Sequence, residues 1–225
     1  MNESWLIANP IPNDRTSCNK DLNGGYGTCD EIGDSLFAKV LAKIKKKSIK
    51  LPVLTLAYIT SILKSKGKHI LYSENPSKCL EIVSENTPEV CLIYGSIVAS
   101  KHELELIKKI RIINDKIIII IIVGTYPTKF PNSFSIADCV VLGEPEDFFL
   151  NWDGNLKHFR LNGGTTYSQN ISSLDVLPNP DFSEMQTGSF SYAPMLKGPT
   201  GFIESSRGCP FSCGYYCNYG ENQGK

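Results

Sequence analysis

The clearest chemical signal in the sequence is a group of three cysteines near its end, Cys209, Cys213 and Cys217. The three thiols lie close enough in sequence to bind one compact metal centre. A cubane [4Fe–4S] cluster normally takes four cysteines, one for each iron. Three cysteines would therefore leave one iron with an open position, and that iron could bind and activate a small molecule.

Two other interpretations of the cysteines stay open on the residues alone. A structural zinc site takes four protein ligands, usually in pairs two to four residues apart. No fourth ligand is near: the closest upstream histidine is His158, and Cys139 belongs to a predicted core strand. The thiols could also carry no metal and act as redox sensors. The compact spacing favours the iron–sulfur interpretation over both.

The segment 204–220, ESSRGCPFSCGYYCNYG, resembles the cluster loop of radical S-adenosylmethionine enzymes. In that family the loop follows the first strand of a partial (β/α) barrel, and the iron without a cysteine chelates S-adenosylmethionine. The resemblance assigns the [4Fe–4S] cluster to Cys209, Cys213 and Cys217, and places Tyr216 beside the adenine. The second gap holds three residues where the family has two, so two adjacent tyrosines compete for that position.

Strand and helix patterns alternate upstream of this motif. The predicted strands are Ser4–Asn9, His69–Ser73, Val90–Tyr94, Ile117–Val123 and Asp138–Leu142, and the predicted helices are Gly33–Lys47, Leu51–Lys66, Cys79–Asn86 and Lys101–Asn114. The β-branched run Ile117–Val123 is typical of a central parallel strand, buried on both faces. The alternation predicts an α/β fold with a five-stranded, doubly wound parallel sheet of the flavodoxin or Rossmann type, in the order 2-1-3-4-5.

Ligands bind such sheets at the carboxyl ends of the strands, where the strand order reverses. Gly95 and Ser96 follow the third predicted strand, and Gly124 and Thr125 follow the fourth. Glycine lets a backbone approach a ligand closely, and the hydroxyls can hydrogen-bond to it. Glycine also ends strands for purely conformational reasons, and that alternative stays open at each position.

Three turns, in their order along the chain, resemble those of the cobalamin-binding domains that precede some radical S-adenosylmethionine barrels. They lie in Leu51–Tyr58, Val123–Thr128 and Val141–Glu146. The resemblance implies a corrinoid site that includes Gly95, Ser96, Gly124, Thr125, Gly143 and Glu144. The Asp-x-His-x-x-Gly motif that supplies a cobalt ligand is absent, and none of the three histidines is expected to bind cobalt. Glu144 and Glu146 are interpreted as turn residues that contact backbone amides rather than as acid–base groups.

Composition changes after about residue 150, where prolines and glycines become frequent. The predicted organisation is a cobalamin-binding-like domain over 1–150, a linker with a short hairpin or two over 151–199, and the start of a barrel over 200–225, with Thr200–Ser205 as its first strand. A barrel would need on the order of 150–200 further residues, at roughly 30 per βα unit. The chain is therefore expected to be truncated after the cluster-binding loop.

The overall composition excludes several classes of protein. The 225 residues are 41% hydrophobic and 20% charged, ordinary values for a globular chain. The formal net charge of zero lacks the basic excess of a nucleic-acid binder. No apolar run reaches the roughly 20 residues needed to span a bilayer, so no membrane partner is expected. Without a visible secretory signal, we expect a cytoplasmic protein with reduced thiols.

The resemblances together imply a cobalamin-dependent radical S-adenosylmethionine enzyme. Its cofactors would be a [4Fe–4S] cluster, S-adenosylmethionine and cobalamin. A 5′-deoxyadenosyl radical would abstract hydrogen from an unactivated carbon of a small-molecule substrate, and C-methylation by a transferase is one reaction that the resemblance implies. A ferredoxin or flavodoxin would supply electrons. The alternatives are a non-catalytic corrinoid-binding fragment and a small iron–sulfur electron carrier.

Overall fold

The computed structural model describes residues 3–11, 33–48, 52–113, 118–160, 164–185 and 203–208. Across these ranges the strands are β1 (Ser4–Ala8), β2 (His69–Ser73), β3 (Val90–Tyr94), β4 (Ile119–Val123), β5 (Cys139–Leu142) and β6 (Gly164–Tyr167). The helices are α1 (Leu36–Ser48), α2 (Leu54–Ser65), α3 (Pro76–Asn86), α4 (Ser100–Ile113), α5 (Thr125–Lys129) and α6 (Pro145–Asn151). Single 3₁₀ turns cover Pro131–Phe134, Leu156–Phe159 and Leu174–Val176.

The strands form one parallel sheet in the order β2-β1-β3-β4-β5-β6. This arrangement confirms the α/β class, the parallel sheet and the order predicted for the first five strands. The predicted count of five strands is wrong, because β6 adds a sixth strand beside β5. The sheet therefore continues beyond residue 150, into the region interpreted as a linker with a hairpin.

The sheet separates two apolar layers. Along β1 the side chains alternate, so that Trp5 and Ile7 pack into one layer while Leu6 and Ala8 pack into the other. In the first layer, aromatic rings of Trp5, Phe149, Trp152 and Phe159 contact one another. Every residue of β3 and β4 is buried, as expected for central strands covered on both faces.

Helix α1 forms within its predicted bounds, but its apolar stripe is not packed into either layer. Leu36 is 83% exposed and Phe37 is 73% exposed. Val40, Leu41 and Ile44 are also exposed. The periodicity predicted the helix correctly, but it did not predict that this apolar face would be exposed. No helix in the described ranges is both long enough and apolar enough to cross a membrane.

Residues 203–208 approach the sheet without regular secondary structure of their own. The strand predicted over Thr200–Ser205 is therefore absent from the half of it that the structure describes. Ile203 is almost fully exposed, while Arg207 is buried at the other end of this short segment. Through Arg207 the segment contacts Glu146 of α6.

Candidate functional site

The turns after β3 and β4 meet at the carboxyl edge of the sheet. Gly95 donates its N–H to the carbonyl of Val123 at 2.8 Å. Gly124 has φ of +124°, and a Cβ atom there would lie 2.5 Å from the carbonyl oxygen of Gly95. A Cβ atom at Gly95 would lie 2.4 Å from Cγ of Pro127. The two glycines are therefore required by the contact between these turns, before any ligand is considered.

Ser96 is fully buried, and its polar groups bond to the helix that follows it. Its N–H lies 3.1 Å and 3.0 Å from the two carboxylate oxygens of Glu103. Its hydroxyl donates to Oε1 of Glu103 at 3.1 Å and accepts from the N–H of Ala99 at 3.2 Å. The hydroxyl expected to face a ligand thus holds the first turn of α4 in place.

A second set of contacts joins the turn after β4 to the turn after β5. Thr125 is half-buried at the start of α5. The hydroxyl of Thr128 donates to the carbonyl of Gly124 at 2.8 Å and accepts from the N–H of Gly143 at 3.2 Å. The structure therefore brings the glycines after β3, β4 and β5 to one edge of the sheet, as the parallel topology requires.

Two glutamates after β5 form the centre of a buried ion cluster with Arg207. Nη2 of Arg207 lies 3.2 Å from Oε1 of Glu146, and Nη1 lies 3.5 Å from Oε1 of Glu144. Nη2 also contacts Oε2 of Glu204 at 2.7 Å, and Nε donates to the same oxygen at 3.2 Å. All three nitrogens of the guanidinium group face carboxylates, so its orientation is defined. We call Glu144, Glu146, Glu204 and Arg207 the carboxylate–arginine cluster.

Each of the two glutamates after β5 also bonds to a further part of the chain. Glu144 accepts the N–H of Ile171, in the loop after β6. Glu146 accepts the hydroxyl of Thr55, in the first turn of α2. Oε1 of Glu144 is buried and makes no hydrogen bond in the structure, although the guanidinium lies nearby. The predicted role of Glu144 in binding a backbone amide is therefore present, but it is combined with an ion pair.

Burial dominates the electrostatics of this cluster. It raises the pKa of Glu144 and of Glu146, and the positive charge of Arg207 offsets only part of the increase. Burial alone would lower the pKa of Arg207, but the neighbouring carboxylates, Glu146 first, raise it overall. Three carboxylates face one guanidinium, so the cluster would carry net negative charge if every glutamate were ionised.

Sequence analysis did not predict the carboxylate–arginine cluster. Its members lie far apart in the chain, since Glu146 and Arg207 are separated by 61 residues. One signal was available: Gly-Glu-Pro-Glu follows a buried strand directly, and an arginine stands just before the cysteine motif. Nothing in either segment identified the other as its partner.

The cysteine motif itself lies outside the described residues. Cys209, Cys213, Cys217 and Tyr216 all follow Gly208, which is the last residue described. Within the described ranges, no group of three or more His, Cys, Asp or Glu side chains is arranged to hold a metal ion. The assignment of the cluster ligands therefore stays a prediction from the spacing of the cysteines.

The cysteines and histidines that the structure does describe are unsuited to the chemistry of the motif. Burial raises the pKa of Cys139 to about 12 and that of Cys91 well above its usual range, so both thiols are protonated at neutral pH. His69, His102 and His158 are all exposed. His69 begins β2, at the amino end of that strand, whereas His102 lies in the first turn of α4, which follows the turn after β3.

Comparisons with protein-family models, with curated proteins and with solved structures give no match. The features that bear on function are therefore the spacing of the cysteines, the parallel sheet, and the carboxylate–arginine cluster after β5.

Proposed function

We propose that this protein is a cobalamin-dependent radical S-adenosylmethionine enzyme, with Cys209, Cys213 and Cys217 as the ligands of a [4Fe–4S] cluster. The observation that carries the proposal is the spacing of the three cysteines after Ser-Arg-Gly. Three thiolates suit a cubane with one iron left open, whereas a structural zinc site takes four protein ligands. An open iron is what a chelating cosubstrate needs.

The position of Arg207 supports the proposal. Arg207 is bonded to glutamates in the turn after β5 and at the start of α6. Cys209 follows Arg207 by two residues, which is at most about 7 Å of fully extended chain. This distance is compatible with a cofactor site at the carboxyl edge, where doubly wound sheets bind their ligands.

When bound and reduced, the cluster would supply the electron that cleaves S-adenosylmethionine. The protein itself would bind the cluster and orient S-adenosylmethionine. The three thiolates would retain the cluster and Tyr216 would bind the adenine, while Arg207 holds the segment 203–208 that precedes the first ligand. The substrate would be a small molecule with an unactivated carbon, C-methylation the reaction, and a ferredoxin or flavodoxin the reductant.

A corrinoid would lie against the turns after β3, β4 and β5. It would not lie between the turns after β3 and β4, because these two are in contact with each other. Gly95 and Gly124 are already in contact, and Ser96 bonds to Glu103, so these groups shape the surface of the site. Thr125 and Gly143 border the same edge. Because the Asp-x-His-x-x-Gly motif is absent and the three histidines are exposed and lie on three separate elements, we propose that cobalt has no histidine ligand from this chain.

The test is whether the cluster binds S-adenosylmethionine. The chain would be reconstituted anaerobically with iron and sulfide and reduced, and its electron paramagnetic resonance spectrum recorded with and without S-adenosylmethionine. We expect the spectrum to change on addition, because the cosubstrate occupies the open iron. An unchanged spectrum from an intact cluster would leave an electron carrier as the better description, and absence of any cluster would reject the proposal.

A further inference from the structure

The carboxylate–arginine cluster connects the start of α6 to the segment 203–208, which lies about 60 residues further along the chain. Glu144 and Glu146 belong to the turn after β5 and the start of α6, whereas Glu204 and Arg207 belong to the segment that leads into the cysteines. The side chain of Arg207 is 6% exposed and that of Glu146 is 1% exposed. A contact this well buried is removed from the solvent screening that weakens surface ion pairs.

The planar guanidinium of Arg207 makes a set of contacts that a lysine ammonium could not make. Its three nitrogens face three different carboxylates, two from the sheet side and one from its own segment. A lysine ammonium is a point charge on a flexible stem and cannot present this planar fork. The geometry therefore fixes the direction of the backbone at Arg207 as well as its distance from α6.

We infer that Arg207 is a positioning residue, through which Glu144 and Glu146 set the place and orientation of the cysteine motif against the sheet. This inference rests on the proposed function for its consequence, but the anchor itself is a property of the described residues. Gly208, with φ of +94°, separates Arg207 from the first cysteine. Gly208 is the one residue between Arg207 and Cys209. A change in the position of Arg207 should therefore also change the position of the first cysteine.

Each carboxylate has a distinct expected contribution. Glu146 is held by Thr55 of α2 as well as by Arg207, and Glu144 is held by Ile171. Glu204 lies three residues before Arg207 on the same segment, so their ion pair does not connect that segment to the sheet. Asp147→Asn is the control for Glu146→Gln: it removes a carboxylate charge from the next position of α6, where Oδ1 bonds to Asn151 and Oδ2 accepts the N–H of Gln169.

The first readout needs no cluster. Hydrogen–deuterium exchange of the backbone over 203–208 would be measured in the full chain. We expect exchange to be about tenfold faster in Glu146→Gln than in the wild type, equivalent to about 1.4 kcal/mol of lost protection. In Asp147→Asn we expect a change of less than about twofold. Equal exchange in Glu146→Gln and the wild type would overturn the inference.

The second readout uses the reconstituted cluster. We expect Arg207→Met to lose iron to a chelator at least about tenfold faster than the wild type, and Arg207→Lys to fall between them. We also expect Glu146→Gln to alter the resonance spectrum recorded with S-adenosylmethionine, whereas Asp147→Asn leaves it unchanged. A change of fold stability alone would not move that spectrum.

The two proposals fail in different ways. If the wild type binds no cluster, the proposed function is rejected, and the exchange measurement still decides whether the anchor exists. If the iron–sulfur cluster forms in the wild type and Glu146→Gln has the same exchange, iron loss and spectrum, the positioning role of Arg207 is rejected and the proposed function is not. If Arg207→Met does not fold, Glu146→Gln and Arg207→Lys give the same decision.

Discussion

Replacement of Gly124 by alanine tests whether the carboxyl edge of the sheet is shaped by its own packing. Gly124 has φ of +124° and ψ of 170°, a backbone conformation that is essentially restricted to glycine. A Cβ atom would also lie 2.5 Å from the carbonyl oxygen of Gly95, a backbone atom that cannot rotate away. Both effects are present without a corrinoid, so the substitution should destabilise the ligand-free protein.

The expected magnitude follows from adding two costs. Forcing alanine into this region of backbone space costs on the order of 1–3 kcal/mol. Relieving the overlap with Gly95 by shifting the turn costs about 1–3 kcal/mol more, as for other overpacked sites. We therefore expect Gly124→Ala to lower the free energy of unfolding by about 2–6 kcal/mol. Gly67→Ala is the matched control, because Gly67 has φ of +75° with no atom within 4 Å of its added Cβ. It should cost about 1–2 kcal/mol.

Urea unfolding followed by tryptophan fluorescence measures both variants. The chain has two tryptophans, Trp5 and Trp152, and both are buried in the same aromatic layer. The signal therefore reports loss of the sheet's core. If Gly124→Ala and Gly67→Ala unfold within about 1 kcal/mol of each other, the reasoning from the Gly95 contact is refuted. A ligand approaching the backbone would then be the remaining reason for glycine at this position.

Three further outcomes are expected. Burial raises the pKa of Glu144 and Glu146 above the usual 4.5, so their contribution to stability is complete below that pH and is lost as pH rises through the folded-state values. Urea unfolding from pH 4.5 upward should therefore show the global free energy of unfolding falling more steeply in the wild type than in Glu146→Gln, an effect separate from the local exchange over 203–208, and a constant difference would contradict the assignment. Ser96→Ala should cost about 1 kcal/mol, because Glu103 loses a buried hydrogen bond, and unchanged urea unfolding would show that the bond is not stabilising. Hydroxocobalamin should bind with the same absorption spectrum to the wild type and to His102→Ala, whereas a histidine-coordinated spectrum lost in the variant would place the corrinoid elsewhere.

Local patterns predicted most of the fold because they reflect burial. The isoleucine run in β4 could only be a strand covered on both faces, and its position next to β3 followed from the rules for parallel crossovers. Strand β6 was missed because Gly-Thr-Thr-Tyr has no apolar run, and an edge strand that is partly exposed does not need one. Its pairing with β5 depends on backbone hydrogen bonds, which side-chain patterns do not report.

The candidate site was less predictable because it depends on contacts between distant residues. Gly95 and Gly124 were expected at one edge, and they lie there, but their contact with each other could not be read from either turn. Ser96 was expected to offer its hydroxyl to a ligand, and its partner Glu103 is buried only because α4 folds back over the turn. The ion pairs of Arg207 required knowing where residues 203–208 meet α6.

Metal analysis of the reconstituted chain is the most direct test of the central claim, that three cysteines hold an iron–sulfur cluster. We expect about four irons and four sulfides per chain in the wild type. We expect the same in Cys29→Ala, since Cys29 lies outside the motif. Cys213→Ala should lose the cluster, because two thiolates retain a cubane poorly. One zinc per chain, or an iron content that Cys213→Ala leaves unchanged, would contradict the account.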